Sequence, residues 1–279
     1  MNRFLALSAG LLALQANGRA VADPVEQGRE WTEHYAVTAP VPALEIRNIW
    51  GDVRVLPGPD GQITLAAREH RSAPNQALFE RSLEVLNLDI EADGNHVSAV
   101  VGGREERWYH QDPCRGCRAG FQFVAHVPVH ALVKVTTVND GRVEISGIHG
   151  RISAGNVNGP VSVSDLDDCE SVESVNGDVT LGFRIAPSID CHIETINGDI
   201  RMLVPGSAGL DVALILGNGH MTTEFPVDPL VLPARVEHTE KDGRHLYRIE
   251  QPAGVRLAGG GPTFSIDSMN GNLRIQKTQ

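Results

Sequence analysis

One short phrase recurs along the chain and limits its fold more than any other feature. It reads apolar residue, Asn, Gly, any residue, apolar, any residue, apolar. The copies are Val138-Asn139-Asp140-Gly141-Arg142-Val143-Glu144-Ile145, Val157-Asn158-Gly159-Pro160-Val161-Ser162-Val163, Val175-Asn176-Gly177-Asp178-Val179-Thr180-Leu181, Ile196-Asn197-Gly198-Asp199-Ile200-Arg201-Met202 and Met269-Asn270-Gly271-Asn272-Leu273-Arg274-Ile275. Weaker copies surround Asn48 with Gly51 and Asn218 with Gly219. Gly reaches positive φ without steric cost and Asn tolerates it better than most residues, so each pair reads as a sharp bend. The alternation that follows is the period of a strand with one face buried.

Spacing adds a second constraint. Glycines 141, 159, 177, 198 and 219 are 18, 18, 21 and 21 residues apart, and Gly150 falls half way through the first interval. A fixed period of this size signals stacked repeats, because one unit is too small to bury its own apolar face. The sequence predicts an all-β chain, a parallel β-solenoid-like stack of short strands. Each period is one coil of two or more strands joined by Asn-Gly bends, and equivalent Asn residues of successive coils would form a ladder. A row of antiparallel hairpins stays open as the alternative, since Asn-Gly between alternating apolar residues is also a hairpin signal.

Around the phrase the pattern is less regular. Residues 23–43 read as a polar lead-in in which 35–37 starts a strand, and 44–56 is the first coil. Segment 67–82 is charged, an excursion or a short helix, with 75–88 the one weak helical pattern. Residues 83–90 and 96–101 return to strand pattern about an Asp93-Gly94 turn, and 102–120 reads as a surface loop. After Thr223 the repeat lapses, and Pro226, Pro229 and Pro233 argue against central strands. Segment 224–262 is a further excursion holding a hairpin, 235–238 with 245–249. The last copy, 265–275, is expected to close the stack as its terminal coil, and 23–279 to form a single domain.

Residues 1–22 have the form of a secretory signal. Arg3 supplies charge, 4–14 is an apolar run too short to span a bilayer, and Ala20-Val21-Ala22 is a cleavage site before Asp23. No later run is apolar enough to be a transmembrane segment. The mature chain is expected to be periplasmic or secreted. Removing the signal, with its two Arg and no acid, takes the net charge from −11 to −13, which disfavours nucleic acid as a partner. Export makes disulfides the expected state of the four cysteines. Cys114 and Cys117 form one close pair. Cys169 and Cys191 lie seven and six residues before Asn176 and Asn197, side by side on successive coils. Bridges 114–117 and 169–191 are predicted.

Several side chains could carry chemistry. Asp52, Asp178 and Asp199 follow bend glycines and could ligate Ca²⁺. The matching positions are Arg142, Pro160, His220 and Asn272, so no acidic column is sustained and turn chemistry is the reading, with no metal and no cofactor. His110, Asp112, Cys114 and Cys117 could hold a metal or a redox pair, but a lone Cys-x-x-Cys outside a strand-to-helix setting reads as a plain disulfide. Beside it, Trp108 and Tyr109 are the candidate ligand-binding residues, with loop packing as the alternative. Asp165, Asp167 and Asp168, or Glu173 with Glu194 one coil apart, supply paired acids. Glycoside chemistry needs two acids at a set separation in an aromatic-walled cleft, whereas these occupy outward strand or turn positions in a chain that is 5% aromatic. No catalytic residue is assigned.

The repeated Val-Asn-Gly-Asp-Val and Ile-Asn-Gly-Asp-Ile phrases, behind a signal peptide, resemble the bacterial DUF4097 family, the adhesin-like "toast-rack" domains. The resemblance is clearest over 133–223 and 265–275, with an echo at 44–65. It implies a right-handed β-solenoid-like domain at the cell envelope and brings no catalytic residues with it. The expectation is a non-catalytic exported scaffold or adhesin-like binding protein whose partner is an envelope protein or a glycan. A polysaccharide-active enzyme on a solenoid, and an envelope signalling accessory that binds a protein, are the alternatives.

Overall fold

The computed structural model describes residues 24–102, 114–241, 244–250 and 252–278. The signal segment and Trp108, Tyr109, His110 and Asp112 lie outside them. The first part of the chain forms β1 (Val25–Ala36), β2 (Ala43–Arg47), β3 (Val53–Pro57), β4 (Gln62–Ala73), helix α1 (Gln76–Val85), β5 (Leu88–Ala92), β6 (His96–Val101) and β7 (Arg118–Val127). The repeat region follows as β8 (Leu132–Thr137), β9 (Val143–Ser146), β10 (Ile152–Asn156), β11 (Val161–Leu166), β12 (Ser171–Asn176), β13 (Val179–Phe183), β14 (Cys191–Asn197), β15 (Ile200–Pro205), β16 (Leu210–Asn218) and β17 (Met221–Thr223). The chain ends with β18 (Val227–Leu230), β19 (Arg235–Lys241), β20 (Arg244–Glu250), β21 (Ala253–Leu257), β22 (Thr263–Asn270) and β23 (Leu273–Thr278).

The repeat builds a two-sided stack. In each coil one strand lies in the first sheet, the bend follows, and the next strand lies in the second sheet. The first sheet runs β18-β21-β16-β22-β14-β12-β10-β8-β2-β6-β5, the second β1-β4-β7-β3-β9-β11-β13-β15-β23-β17. Neighbouring coils pair in parallel and in register: Val172 faces Ile193, which faces Ile266, and Val179 faces Ile200, which faces Leu273. Parallel pairing at this register excludes the hairpin row for the repeat region, because a hairpin partner would run the other way. Inward residues of both sheets, such as Val163, Leu181, Met202, Val172 and Ile193, are fully buried in one continuous apolar cluster.

The last copy of the phrase is not the terminal coil. Strands β22 and β23 insert between the coil of β14 and β15 and the coil of β16 and β17. The reason is the antiparallel β21, which covers the outer edge of β16. Strand β22 then enters the gap and pairs with both β14 and β16.

Three segments depart from expectation. The lead-in is a full strand: β1 pairs antiparallel with β4 from Val25↔Ala73 to Ala36↔Gln62. Its side chains are mostly exposed and charged, which suits an edge strand and hides it from an apolar pattern. At 67–82 the helical alternative holds, with α1 starting at Gln76 after the N-cap Asn75, whose Oδ1 accepts from the Leu78 N–H at 2.9 Å, and the departure is that β4 continues to Ala73. Helix, not strand, therefore occupies 83–85. The surface loop at 102–120 ends early: Cys114 and Cys117 are buried against α1, and β7 begins at Arg118.

The charges of 67–82 are partly internal. Arg71 and Glu69 are both buried. The Arg71 guanidinium donates to Glu69 Oε1 at 2.7 Å, to the Ser82 carbonyl at 2.5 Å and to the Leu86 carbonyl at 2.9 Å. It thus closes the C-terminus of α1, where carbonyls lack intrahelical donors and positive charge is favoured. Arg29 pairs with the other Glu69 oxygen and lies over the Trp31 ring.

At the far end, segment 224–262 is only partly an excursion. Strands β18 and β21 join the first sheet, and β19 and β20 form the expected hairpin as a separate pair. Asp211 on β16 accepts from Arg256 on β21 at 2.8 and 2.7 Å, and this hydrogen bond holds its carboxyl below the usual range. A carboxylate depressed in the folded state stabilises above its unfolded value, about 3.9 for Asp, and loses that contribution as pH falls through its folded value. The stability gap between the parent and Asp211→Asn should therefore shrink below about pH 4 in an acid unfolding series. A gap that stays constant from neutral to strongly acidic pH contradicts this role.

Candidate functional site

The bends form a column along one side of the stack, and the glycines in it are there for a reason other than the one expected. Among them only Gly51 and Gly159 have positive φ, at 111° and 159°. The constraint is instead close approach of stacked backbones. A Cβ on Gly141, Gly159, Gly177 or Gly198 would lie 2.1 Å from the carbonyl oxygen of the preceding glycine in the column. On Gly271 it would meet the Gly198 carbonyl at 1.8 Å, and on Gly219 the Gly271 carbonyl at 1.9 Å. No side chain fits at such distances.

Beside the glycines runs the expected ladder of Asn side chains. Asn158 donates to Asn139 at 3.0 Å, Asn176 to Asn158 at 2.9 Å, Asn197 to Asn176 at 2.8 Å, Asn270 to Asn197 at 2.9 Å and Asn218 to Asn270 at 2.9 Å. Asn48 is not part of it. Trp50 holds the ladder position of the first coil, bridged to Asn139, while Asn48 belongs to an inner column. That column was not anticipated. It comprises the buried Asn48, Thr137, Asn156, Ser174, Thr195 and Ser268. Asn156 donates to the Gly141 carbonyl at 2.8 Å, Ser174 to Gly159 at 3.0 Å and Thr195 to Gly177 at 3.1 Å. Each satisfies a carbonyl that the stacking would leave inside the bend. The signal was a small polar residue three places before the glycine, or four for Thr137 because of the extra Asp140, at a position the strand alternation turns inward.

The aspartates after the bends are used in the same way. Asp52 accepts from the Arg142 N–H at 2.9 Å, Asp178 from Asp199 at 2.9 Å and Asp199 from Asn272 at 2.8 Å. Each carboxylate accepts a backbone donor of the neighbouring coil. Asp167 is bound bidentately by Arg184 at 2.7 and 2.9 Å. Asp168 accepts from Ser188 N at 2.6 Å and Ser188 Oγ at 2.8 Å. Asp165 sits in a left-handed turn at φ 54°. Glu173 and Glu194 are in register on the outer face of the first sheet, next to Asp267. They project side by side from one outer surface.

Both predicted bridges are present. Cys169–Cys191 ties the coil of β12 to that of β14, and Cys114–Cys117 closes the turn under α1, each with Cα atoms 5.5 Å apart. The first encloses a 22-residue separation and contributes about 3 kcal/mol in the chain-entropy model. With both sulfurs bonded and buried, Cys114 and Cys117 offer no thiolate to a metal.

What remains free is the outer surface of the first sheet near the bends. Its outermost row is Val157, Val175, Ile196 and Met269, with Val157 and Met269 exposed, next to the exposed ladder amides of Asn158, Asn176, Asn197 and Asn270. This is a flat stripe of aliphatic groups flanked by a row of amides at the strand spacing of about 4.8 Å. It offers contact area and hydrogen bonds.

No protein-family model matches the chain, and no curated protein matches it. Solved structures resemble it weakly. A "putative cell adhesion protein" from Clostridium sporogenes is 11% identical, covering 90% of this chain and 100% of its own, with a TM-score of 0.44. A "Putative lipid binding protein" from Parabacteroides distasonis is 11% identical over 90% of this chain and 97% of its own, with a TM-score of 0.31. A "putative adhesin" from Parabacteroides distasonis is 11% identical over 90% and 98%, with a TM-score of 0.24. At these values none of them carries an argument about what this chain binds.

Proposed function

We propose that the chain is exported after removal of residues 1–22, and that 23–279 act as one non-catalytic envelope domain of the DUF4097 type, a scaffold or adhesin-like binding module. The observation that carries this reading is the partly exposed Val-Ile-Met stripe with its amide ladder, a repeated surface suited to an extended partner. Two of the acids that a hydrolase would use, Asp167 and Asp168, support it from the other side, because they are engaged in holding loops together. The partner is an envelope protein or a glycan.

Capture from envelope extract and from a glycan panel tests it, comparing the parent with Val157→Lys/Ile196→Lys. The expected result is a bound partner that the double variant loses while its melting temperature stays within about 3 °C of the parent. Equal capture by the two proteins rules out the stripe. Cleavage of a glycan that disappears in Glu194→Gln would instead establish the enzyme reading.

A further inference from the structure

Two places break the repeated phrase, and both open onto one notch. Trp50 stands where later coils have Asn, and Asp140 is an extra residue between Asn139 and Gly141, in a left-handed conformation at φ 50°. They meet the outer face of β4 and β7 in a depression of about 420 Å³. Its walls are Arg68, His70, Arg118 and Gln122, with Glu26 on the β1 side.

Gly120 lines the depression, and Gly28 lies in the same row beyond it. In register across the three strands, Gly28 faces His70 and His70 faces Gly120, so the middle row carries one side chain where it has room for three. Neither glycine is required by the fold. A Cβ on Gly28 would come no nearer than 3.7 Å to another atom, and one on Gly120 no nearer than 3.7 Å, both ordinary contact distances. Neither has positive φ. This is the opposite of the bend column, where no Cβ fits. A glycine inside a strand weakens it, and where packing does not call for one, it marks a place that a ligand approaches closely.

The walls say what kind of ligand. A partly exposed indole offers an apolar plate. Around it stand planar groups that hydrogen-bond in pairs: two guanidiniums, an amide and two carboxylates. Acids and bases are balanced, and Arg68 is already paired with Glu30, so a strongly charged ligand is not selected. A flat apolar ring face edged with vicinal hydroxyls matches this set. We infer that the Trp50 notch is a saccharide subsite: Trp50 carries the sugar ring, and Arg118, Gln122 and Asp140 bind its hydroxyls. The inference rests on the non-catalytic binding reading above but places a ligand away from the Val-Ile-Met stripe.

The test is calorimetric titration of the full mature chain with tetrasaccharides of glucose, N-acetylglucosamine and galactose. Gly120→Val fills the notch from a strand position that favours Val, so its melting temperature should equal or exceed the parent's. Trp50→Ala removes the plate. The expected result is that the parent binds at least one tetrasaccharide and that each variant weakens it by about tenfold or more. Binding that persists in a folded Gly120→Val overturns the notch and leaves the stripe reading in place. Binding of none of the three probes by the parent also overturns it. Shortening of a bound tetrasaccharide would sink the non-catalytic reading, whichever variant retained affinity.

Discussion

Gly198→Ala is expected to lower the stability of this protein by about 4 kcal/mol or more, the upper range for a single substitution. The added carbon would lie 2.1 Å from the Gly177 carbonyl oxygen and 3.0 Å from Asp178 N, both backbone atoms locked in neighbouring coils. Relief requires the coils to part, which would also stretch the 2.8 Å bond between Asn197 and Asn176. Thermal or urea unfolding reads the effect, and a drop in melting temperature of roughly 10 °C or more is predicted. Two companions separate this cause from backbone conformation. Gly198→Asn should be at least as harmful as Ala, whereas a requirement for positive φ would make Asn the milder change. Gly120→Ala, with 3.7 Å of clearance, should cost nothing. Parent-like stability of Gly198→Ala would show that the coils do not approach each other this closely.

Arg71→Ala should cost about 3–5 kcal/mol, the range for removing one partner of a buried ion pair. The loss has two parts. Glu69, 4% exposed, would keep only Arg29 as a charged partner, and the Leu86 carbonyl would lose its Arg71 donor at the end of α1, whereas the Ser82 carbonyl keeps the Leu86 N–H at 2.9 Å. Denaturant unfolding of the single variant and of Arg71→Met/Glu69→Leu separates them. The double variant removes both buried charges and should recover most of the stability, with the unsatisfied helix end as the remainder. If Arg71→Ala unfolds like the parent, the guanidinium is not what fastens α1 to β4.

The parts of this fold that could be read from the sequence are those where a local rule and the packing agree. Alternation after each bend glycine gave strands such as β13 and β15 because their inward residues are fully buried, as Leu181 and Met202 are. The Cys169–Cys191 bridge followed from the coil length alone. The misreadings have physical reasons. Asn-Gly has two uses, as a left-handed turn and as a site of backbone contact, and only the stacked neighbour distinguishes them. Strand β1 is an edge strand with charges on both faces, so Glu26 and Glu30 on one and Glu33 beside Trp31 and Tyr35 on the other mask its period. Arg71 and Glu69 looked solvated because they are charged, yet each neutralises the other inside. Nothing along the chain announces that Gly271 would slot between Gly198 and Gly219, since that order depends on β21 covering β16.

The candidate surface was less legible than the fold. Trp108 and Tyr109 were the aromatic residues expected to bind, and they lie outside the described residues. Trp50 was passed over because it sits within a copy of the phrase, where a departure from Asn reads as a weak repeat. Asp140 was read as part of the first bend for the same reason. Their meeting place is lined by Gly120, which lies in a strand that carries no phrase at all.

The column order is the claim from which the rest follows, and paired cysteines across the Asn ladder test it most directly. Adjacent in-register strands bring Cα atoms to about 5 Å, within disulfide range, whereas strands two places apart are beyond the 7 Å limit. After oxidation and peptide mass mapping, Asn197→Cys/Asn270→Cys should form a bridge and Asn197→Cys/Asn218→Cys should not. A bridge between 197 and 218, with none between 197 and 270, would mean that the coils stack in simple chain order and that the arrangement described here is wrong.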